Sequence, residues 1–374
     1  MLRMDARRSA SFLESVRYQP PIFPTNKRLG ACHRGPWLRK WQFRPIHAAD
    51  RHVPTFFARE YENSMRSKVT RRQLLLTTAG VSAAAMARES IAGQDDQPLI
   101  IDCHAHIYGE DETKYPTIEK PYRPPKGKGT IAHLRREMAA AGVRYVTAIQ
   151  TSTYYRWDNR FTSDSSRKHR DFMVGVVTLN PDDPQSPQKL ERYVREYNVR
   201  GMRSIPGQSG RLDAPGVARL WATAERLGVV INVLTDRSKR AEIESLSQRH
   251  PKLRFVIDHC LNIRADADLE ATVAAMESLA RLPLAHAKLT FIPTGTKKGY
   301  PCDKSLHEAC RAVIRAFSPQ RCVWGSDFPC ELWCPNVSYQ DHLRIFTEAL
   351  ELDAAAKQAI LGATAHRLWI RPRA

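Results

Sequence analysis

The 374-residue chain lacks a G-x-G-x-x-G turn after its first predicted strand, which argues against a doubly wound dinucleotide-binding fold. It also lacks an apolar run long enough to span a bilayer comfortably. The clearest such run, Leu74–Ala87, is too short, so no stable membrane span is expected. A second cysteine pair is missing too. Of eight cysteines only Cys330 and Cys334 are close, as C-x3-C, which argues against a zinc ribbon and leaves one loop disulfide open. The body of the chain has no aromatic platforms interleaved with basic residues, so nucleic acid is not an expected partner despite a formal charge of +19. Residues 1–64 alone hold 12 Lys and Arg against 5 Asp and Glu, so much of the excess lies outside the body of the chain. No internal repeat or low-complexity tract interrupts that body.

Residues 1–64 are basic and rich in Pro and Arg, with no sustained period, and read as a poorly ordered extension or as sequence upstream of the true start. Met65 opens a segment, 65–92, in which Arg71-Arg72 precede a short apolar, small-residue run with cleavage-like sites at Ala85-Met86-Ala87 and Ser90-Ile91-Ala92. This resembles a twin-arginine export signal. Translation from near Met65 predicts a periplasmic protein; otherwise the expectation is cytoplasmic.

From residue 98 onward short apolar runs alternate with helical stretches. The predicted strands are 99–106, 145–150, 172–179, 199–204, 229–234, 253–259, 285–291 and 322–327. Helices are predicted at 131–141, 187–197, 217–227, 238–249, 268–282 and 305–317. Strand–helix alternation with eight strands predicts a single (β/α)8 barrel over 98–374. The long loops 108–129 and 295–303 read as lid or binding elements.

Barrel active sites lie at the carboxyl ends of the strands. Those ends gather His104 and His106, Gln150, Arg203, Asn232, Asp258 and His259, Lys288, and Asp327. Alternation puts His104 and His106 on one face of the first strand. Closure of the barrel brings Asp327, at the end of the eighth strand, beside them. Two imidazoles and a carboxylate can ligate a divalent ion or activate a water. His259 reaches the same mouth as a third ligand, a carbonyl-polarising electrophile or a proton donor. Asp102 and Asp258 read as groups that orient their neighbours. Arg203 and Lys288 are charges for an anionic substrate, with Gln150 and Asn232 beside them.

Ile101-Asp102-Cys103-His104-Ala105-His106, Gly201-Met202-Arg203, Val256-Ile257-Asp258-His259, Lys288-Leu289 and Trp324-Gly325-Ser326-Asp327-Phe328-Pro329 occur in this order. The stretch 359–369 follows them as a terminal helix. Together they resemble the amidohydrolase-related family that contains lactonases acting on sugar lactones and on pyrone dicarboxylate.

The resemblance implies a (β/α)8 barrel whose site is mononuclear or metal-free, built on His104, His106 and Asp327 with His259 beside them. It also implies that Asp327 is the general base toward water. The fifth strand offers Asn232 where many relatives carry a histidine, which tilts the reading from decarboxylation toward hydrolysis. Cys260-Leu261-Asn262 replaces the usual glycine-containing turn after His259.

The resulting expectation is a hydrolase that opens a lactone or related ester of a small anionic compound. Asp327, His259 and Lys288 are its catalytic groups, and Arg203, Gln150 and Asn232 its substrate contacts. One divalent ion, zinc by donor type, is expected on His104, His106 and Asp327. The alternatives are a metal-dependent nonoxidative decarboxylase and a nonreactive small-molecule-binding barrel.

Overall fold

A computed structural model of the protein describes residues 98–371. They lie wholly within the second of two units into which the chain divides, 78–374. The expected extension 1–64 and export segment 65–92 fall outside the described residues.

Eight parallel strands pair in sequence order: β1 (Ile100–Ala105), β2 (Val143–Ile149), β3 (Met173–Thr178), β4 (Val199–Ser204), β5 (Val230–Val233), β6 (Phe255–Ile257), β7 (Ala285–Lys288) and β8 (Cys322–Val323). β8 returns to β1 through a parallel bridge between Ala105 and Phe328. Hydrogen bonds from Cys103 N–H to the Trp324 carbonyl (3.1 Å) and from His106 N–H to the Phe328 carbonyl (2.7 Å) complete the closure. The (β/α)8 barrel is the observed architecture.

Helices sit between the strands because their apolar faces have one place to be buried, the outside of the sheet. The helix 131–141 shows the local logic. Thr130 caps its first turn by accepting from His133 N–H, and Gly142, in the left-handed conformation, ends it. Leu134 and Met138 are its buried face.

Two apolar layers result. An outer one joins helix residues such as Leu134 and Met138 to outward strand residues such as Ala105, Val146 and Ala148. An inner one fills the barrel with Ile101, Cys103, Val174, Val230, Val256 and Val323, plugged by Ala365, Leu368 and Trp369 of the C-terminal segment. The functional end must therefore be the opposite one.

Several strands end sooner than alternation predicts. β6 stops at Ile257, β7 at Lys288 and β8 at Val323, and the chain then turns to deliver side chains to the mouth. The helix Arg160–Lys168 between β2 and β3 had no predicted counterpart. Its buried face is Thr162, Ser163, Ser165 and Ser166, so it carries no apolar stripe. Hydrogen bonds take its place, with the Ser166 hydroxyl near the Ser163 and Tyr197 carbonyls (3.0 and 2.7 Å). Cys330 and Cys334 are buried free thiols, so the open question of a loop disulfide is answered by its absence from this structure.

Candidate active site

The site begins with an irregularity in β1. Asp102 pairs with Val146 and Ala105 with Ala148, so three steps on β1 match two on β2. Such a bulge shifts the phase of alternation. Before it, Ile101 and Cys103 point into the barrel, while Asp102 faces out. There the Asp102 carboxylate accepts from the Ser326 hydroxyl (2.6 Å), the Tyr339 hydroxyl (2.9 Å) and Ser326 N–H (2.9 Å). It thereby ties β1 to the end of β8. After the bulge His104 and His106 face the mouth. Gly325 lets β8 lie against His104: a Cβ there would stand 2.7 Å from His104 Cβ.

The two imidazoles converge. His104 Nε2 and His106 Nε2 are 3.3 Å apart. Asp327 Oδ1 lies 3.5 Å from the first and 3.6 Å from the second. His106 Nδ1 lies 2.9 Å from the Ile149 carbonyl, to which only an N–H can donate, so its Nε2 is bare. Arg203 Nη2 is 2.8 Å from His104 Nε2; a guanidinium only donates, so that nitrogen is an acceptor as well. Burial, with the Lys288 charge next in effect on His104 and the Arg203 charge on His106, holds both imidazoles far below their ordinary pKa, hence neutral. Burial pushes the Asp327 carboxyl up to about 7.

His259 completes the group, its ring 4.7 Å from that of His104. One ligand atom each from His104, His259 and Asp327 lies within 4.8 Å of the others. His259 stands not at a strand end, as predicted, but at the start of a left-handed turn: His259, Cys260, Leu261 and Asn262 have φ of 52°, 48°, 61° and 60°. That conformation costs non-glycine residues roughly 1–2 kcal/mol each. The turn is held by the Cys260 thiol on the Lys288 carbonyl (3.3 Å) and the Asn262 amide on the Thr235 carbonyl (3.1 Å). Thr290 Oγ1 sits 2.6 Å from His259 Nδ1 and fixes the ring. Burial drives His259 down to about 3.

Beneath these groups lies a charged cluster. Asp258 Oδ1 is 2.9 Å from Lys288 Nζ, and Asp258 Oδ2 is 3.3 Å from Arg203 Nη2. Asn232 Nδ2 approaches Asp258 Oδ1 at 3.4 Å. Burial alone would raise the Asp258 pKa; Lys288 and Arg203 outweigh it and hold the carboxylate below its ordinary value. Lys288 is fully buried between Asp258 and the Trp369 ring, 5.6 Å from its ammonium, so its charge is matched within the protein. Gln150 Nε2 donates to the Arg156 and Asp158 carbonyls (both 3.1 Å), shaping the loop after β2.

Converging lone pairs are the test for an ion. Around a tetrahedral ion with bonds of about 2.0–2.1 Å, donor atoms stand roughly 3.3–3.4 Å apart. The His104, His106 and Asp327 separations are close to that, and the three atoms are acceptors facing one another. The donor set therefore fits a divalent ion, with Arg203 Nη2 occupying the His104 side of the same space.

Thr151, Tyr108, Thr290 and Trp333 also line the site but were not singled out in the sequence. Tyr108 could have been: 104, 106 and 108 form one period-2 series. Thr290 arrives just after β7 and Trp333 on the short helix Cys330–Trp333, on paths that no periodicity encodes.

Residues 101–371 match the family model described as Amidohydrolase. An L-fucono-1,5-lactonase of Burkholderia multivorans is 29% identical over 300 residues, covering 73% of this chain and 97% of its own length. Among solved structures, a zinc-bound amidohydrolase of Burkholderia multivorans aligns with a TM-score of 0.60 and 24% identity, over 73% of this chain and 100% of that one. A putative 2-pyrone-4,6-dicarboxylic acid hydrolase of Pseudomonas putida aligns at 0.59 and 21%, over 73% and 98%. At these identities the solved structures share the fold.

Proposed function

Because the chain belongs to the amidohydrolase family, we propose that this hydrolase opens a lactone of a small polar acid by attack of water. One observation carries the reading: a buried carboxyl, Asp327, raised to about 7, whose Oδ1 is within 3.6 Å of two neutral imidazole nitrogens. A general base works best with a pKa near the operating pH. The lactonase relative supports the choice of substrate.

In this reading Asp327 takes a proton from water as its oxygen bonds to the lactone carbonyl carbon. The Arg203 guanidinium and the His259 imidazole, steadied by Thr290, hydrogen-bond the oxygen that gains charge. As the ring C–O bond breaks, protonated Asp327 returns its proton to the leaving alkoxide, giving a hydroxy acid. Lys288 acts through Asp258, keeping it ionised and so holding Arg203 in place. Asn232 supports the same carboxylate, and Gln150 supports the rim.

A divalent ion, zinc by donor type, would be held by His104, His106 and Asp327. When bound it lowers the pKa of a water and polarises a carbonyl.

The test is a panel of five- and six-membered lactones followed by acid release, with Asp327→Asn as control. Acid release by the wild type and not by the variant supports the reading. Carbon dioxide release from aromatic carboxylates, with no lactone opened, would replace it by decarboxylation.

We also propose that segment 65–92 exports the barrel to the periplasm. Arg71-Arg72 before a short apolar run supports this.

A further inference from the structure

The side of the mouth away from Arg203 and Asp258 is built differently. Tyr108, next in phase after His106, is buried and its ring is fixed. Its backbone N–H donates to the Gly129 carbonyl at 3.0 Å. A Cβ on Gly129 would stand 2.5 Å from Tyr108 Cδ2. The Tyr154 ring meets Tyr108 edge-on at 5.0 Å. Yet the Tyr108 hydroxyl has no hydrogen-bond partner among the described residues, and neither has the buried Trp333 Nε1. Trp333 lies over His106, with ring centroids 5.5 Å apart. Thr151 and Trp333 adjoin the Tyr108 hydroxyl without meeting hydrogen-bond geometry. Buried polar groups in native proteins are almost always paired, and exceptions concentrate where a ligand completes the pairing.

We propose that the Tyr108 hydroxyl and the Trp333 indole N–H together bind a neutral oxygen of the substrate, a hydroxyl on the lactone ring, and so select hydroxylated lactones. This rests on the lactonase reading and adds to it the choice among lactones. Both donors are uncharged, so they offer no counter-charge to a carboxylate taken out of water, whereas a hydroxyl needs none. A hydroxyl accepts from both donors without that penalty. Because neither ring depends on its polar atom for packing, the two residues are specificity determinants, not structural props.

The full chain is assayed with glucono-1,5-lactone and δ-valerolactone, which share the ring and differ in hydroxyls. Wild type, Tyr108→Phe and Trp333→Phe are compared in kcat/KM and thermal midpoint, and in calorimetric binding of the two corresponding unreactive lactams. Each variant is expected to lose about 10- to 100-fold in kcat/KM for the hydroxylated lactone. The hydroxylated lactam should bind correspondingly weaker. The loss on δ-valerolactone should be at least about tenfold smaller than the loss on the hydroxylated lactone in each variant, with the Tyr108→Phe thermal midpoint unchanged or raised. Equal losses on both lactones, or no loss on either, overturn the proposal. A wild type that binds the hydroxylated lactam preferentially, through these two residues, but opens neither lactone overturns the lactonase reading alone. One that binds neither lactam and opens neither lactone overturns both.

Discussion

Asp258 Oδ1 and Lys288 Nζ lie 2.9 Å apart with neither side chain reaching solvent. The pair explains why a barrel can keep an ammonium at its centre: the carboxylate matches the charge, and the Trp369 ring covers the other side. Breaking one member of a buried pair leaves the other charge stranded.

Lys288→Met is therefore expected to destabilise the fold by about 3–5 kcal/mol. The double variant Lys288→Met with Asp258→Asn should recover part of that loss. Urea unfolding of the single and double variants checks this. A single variant as stable as wild type would show that the pair does not form.

Asp327 titrates near neutrality, with a sign that differs for rate and for stability. As a base it must be ionised, so kcat/KM should rise with pH below about 7 and level off above it. For stability, its raised folded pKa means that the folded chain holds a proton the unfolded chain has lost, from the ordinary carboxylate range up to about 7. Its contribution therefore falls as pH rises through that window. Asp327→Asn should be inactive at every pH yet melt higher than wild type at pH 8. A pH–rate profile and calorimetry at pH 5 and pH 8 test both signs.

Zinc binding is expected to compete with Arg203, whose Nη2 sits 2.8 Å from His104 Nε2. Chelator-treated protein should take up about one equivalent of zinc, as one mononuclear donor set allows. His104→Ala and His106→Ala should lose it, and Arg203→Met should bind it more tightly. Mass-spectrometric metal analysis after dialysis gives the order. Equal zinc retention by all four proteins would remove the ion from this site.

Trp369 plugs the end of the barrel opposite the site, buried against Ile101, Val230 and Val256. Trp369→Ala should cost about 3–5 kcal/mol. It also uncovers the Lys288 ammonium. A fall in thermal midpoint with kcat/KM intact at low temperature is the expected signature; an unchanged midpoint would deny the plug any structural weight.

The proposed export is tested at Arg71 and Arg72. Replacing both by lysine should leave the barrel in the cytoplasmic fraction, whereas an unaltered periplasmic fraction would discard the signal.

Much of this molecule is legible in one dimension. The strand Val199–Ser204, buried on both faces, and the helix Ile131–Ala141, buried on one and capped at both ends, have the bounds that the sequence pattern predicts. Barrel closure also places Asp327 beside His104 and His106 before any coordinate is known, since the eighth strand must meet the first.

Other features arise only in three dimensions. The bulge in β1 turns Asp102 outward although alternation puts it in phase with His104, because phase depends on pairing with β2 and not on β1 alone. The helix Arg160–Lys168 has no apolar stripe to announce it; its serines are buried by tertiary hydrogen bonds. Lys288 could have faced a substrate or a carboxylate, and only packing decides that it meets Asp258. The left-handed turn at His259 and the unpaired hydroxyl of Tyr108 are likewise invisible in sequence. Each carries a local cost that the rest of the fold must sustain, and such costs are set by neighbours distant along the chain.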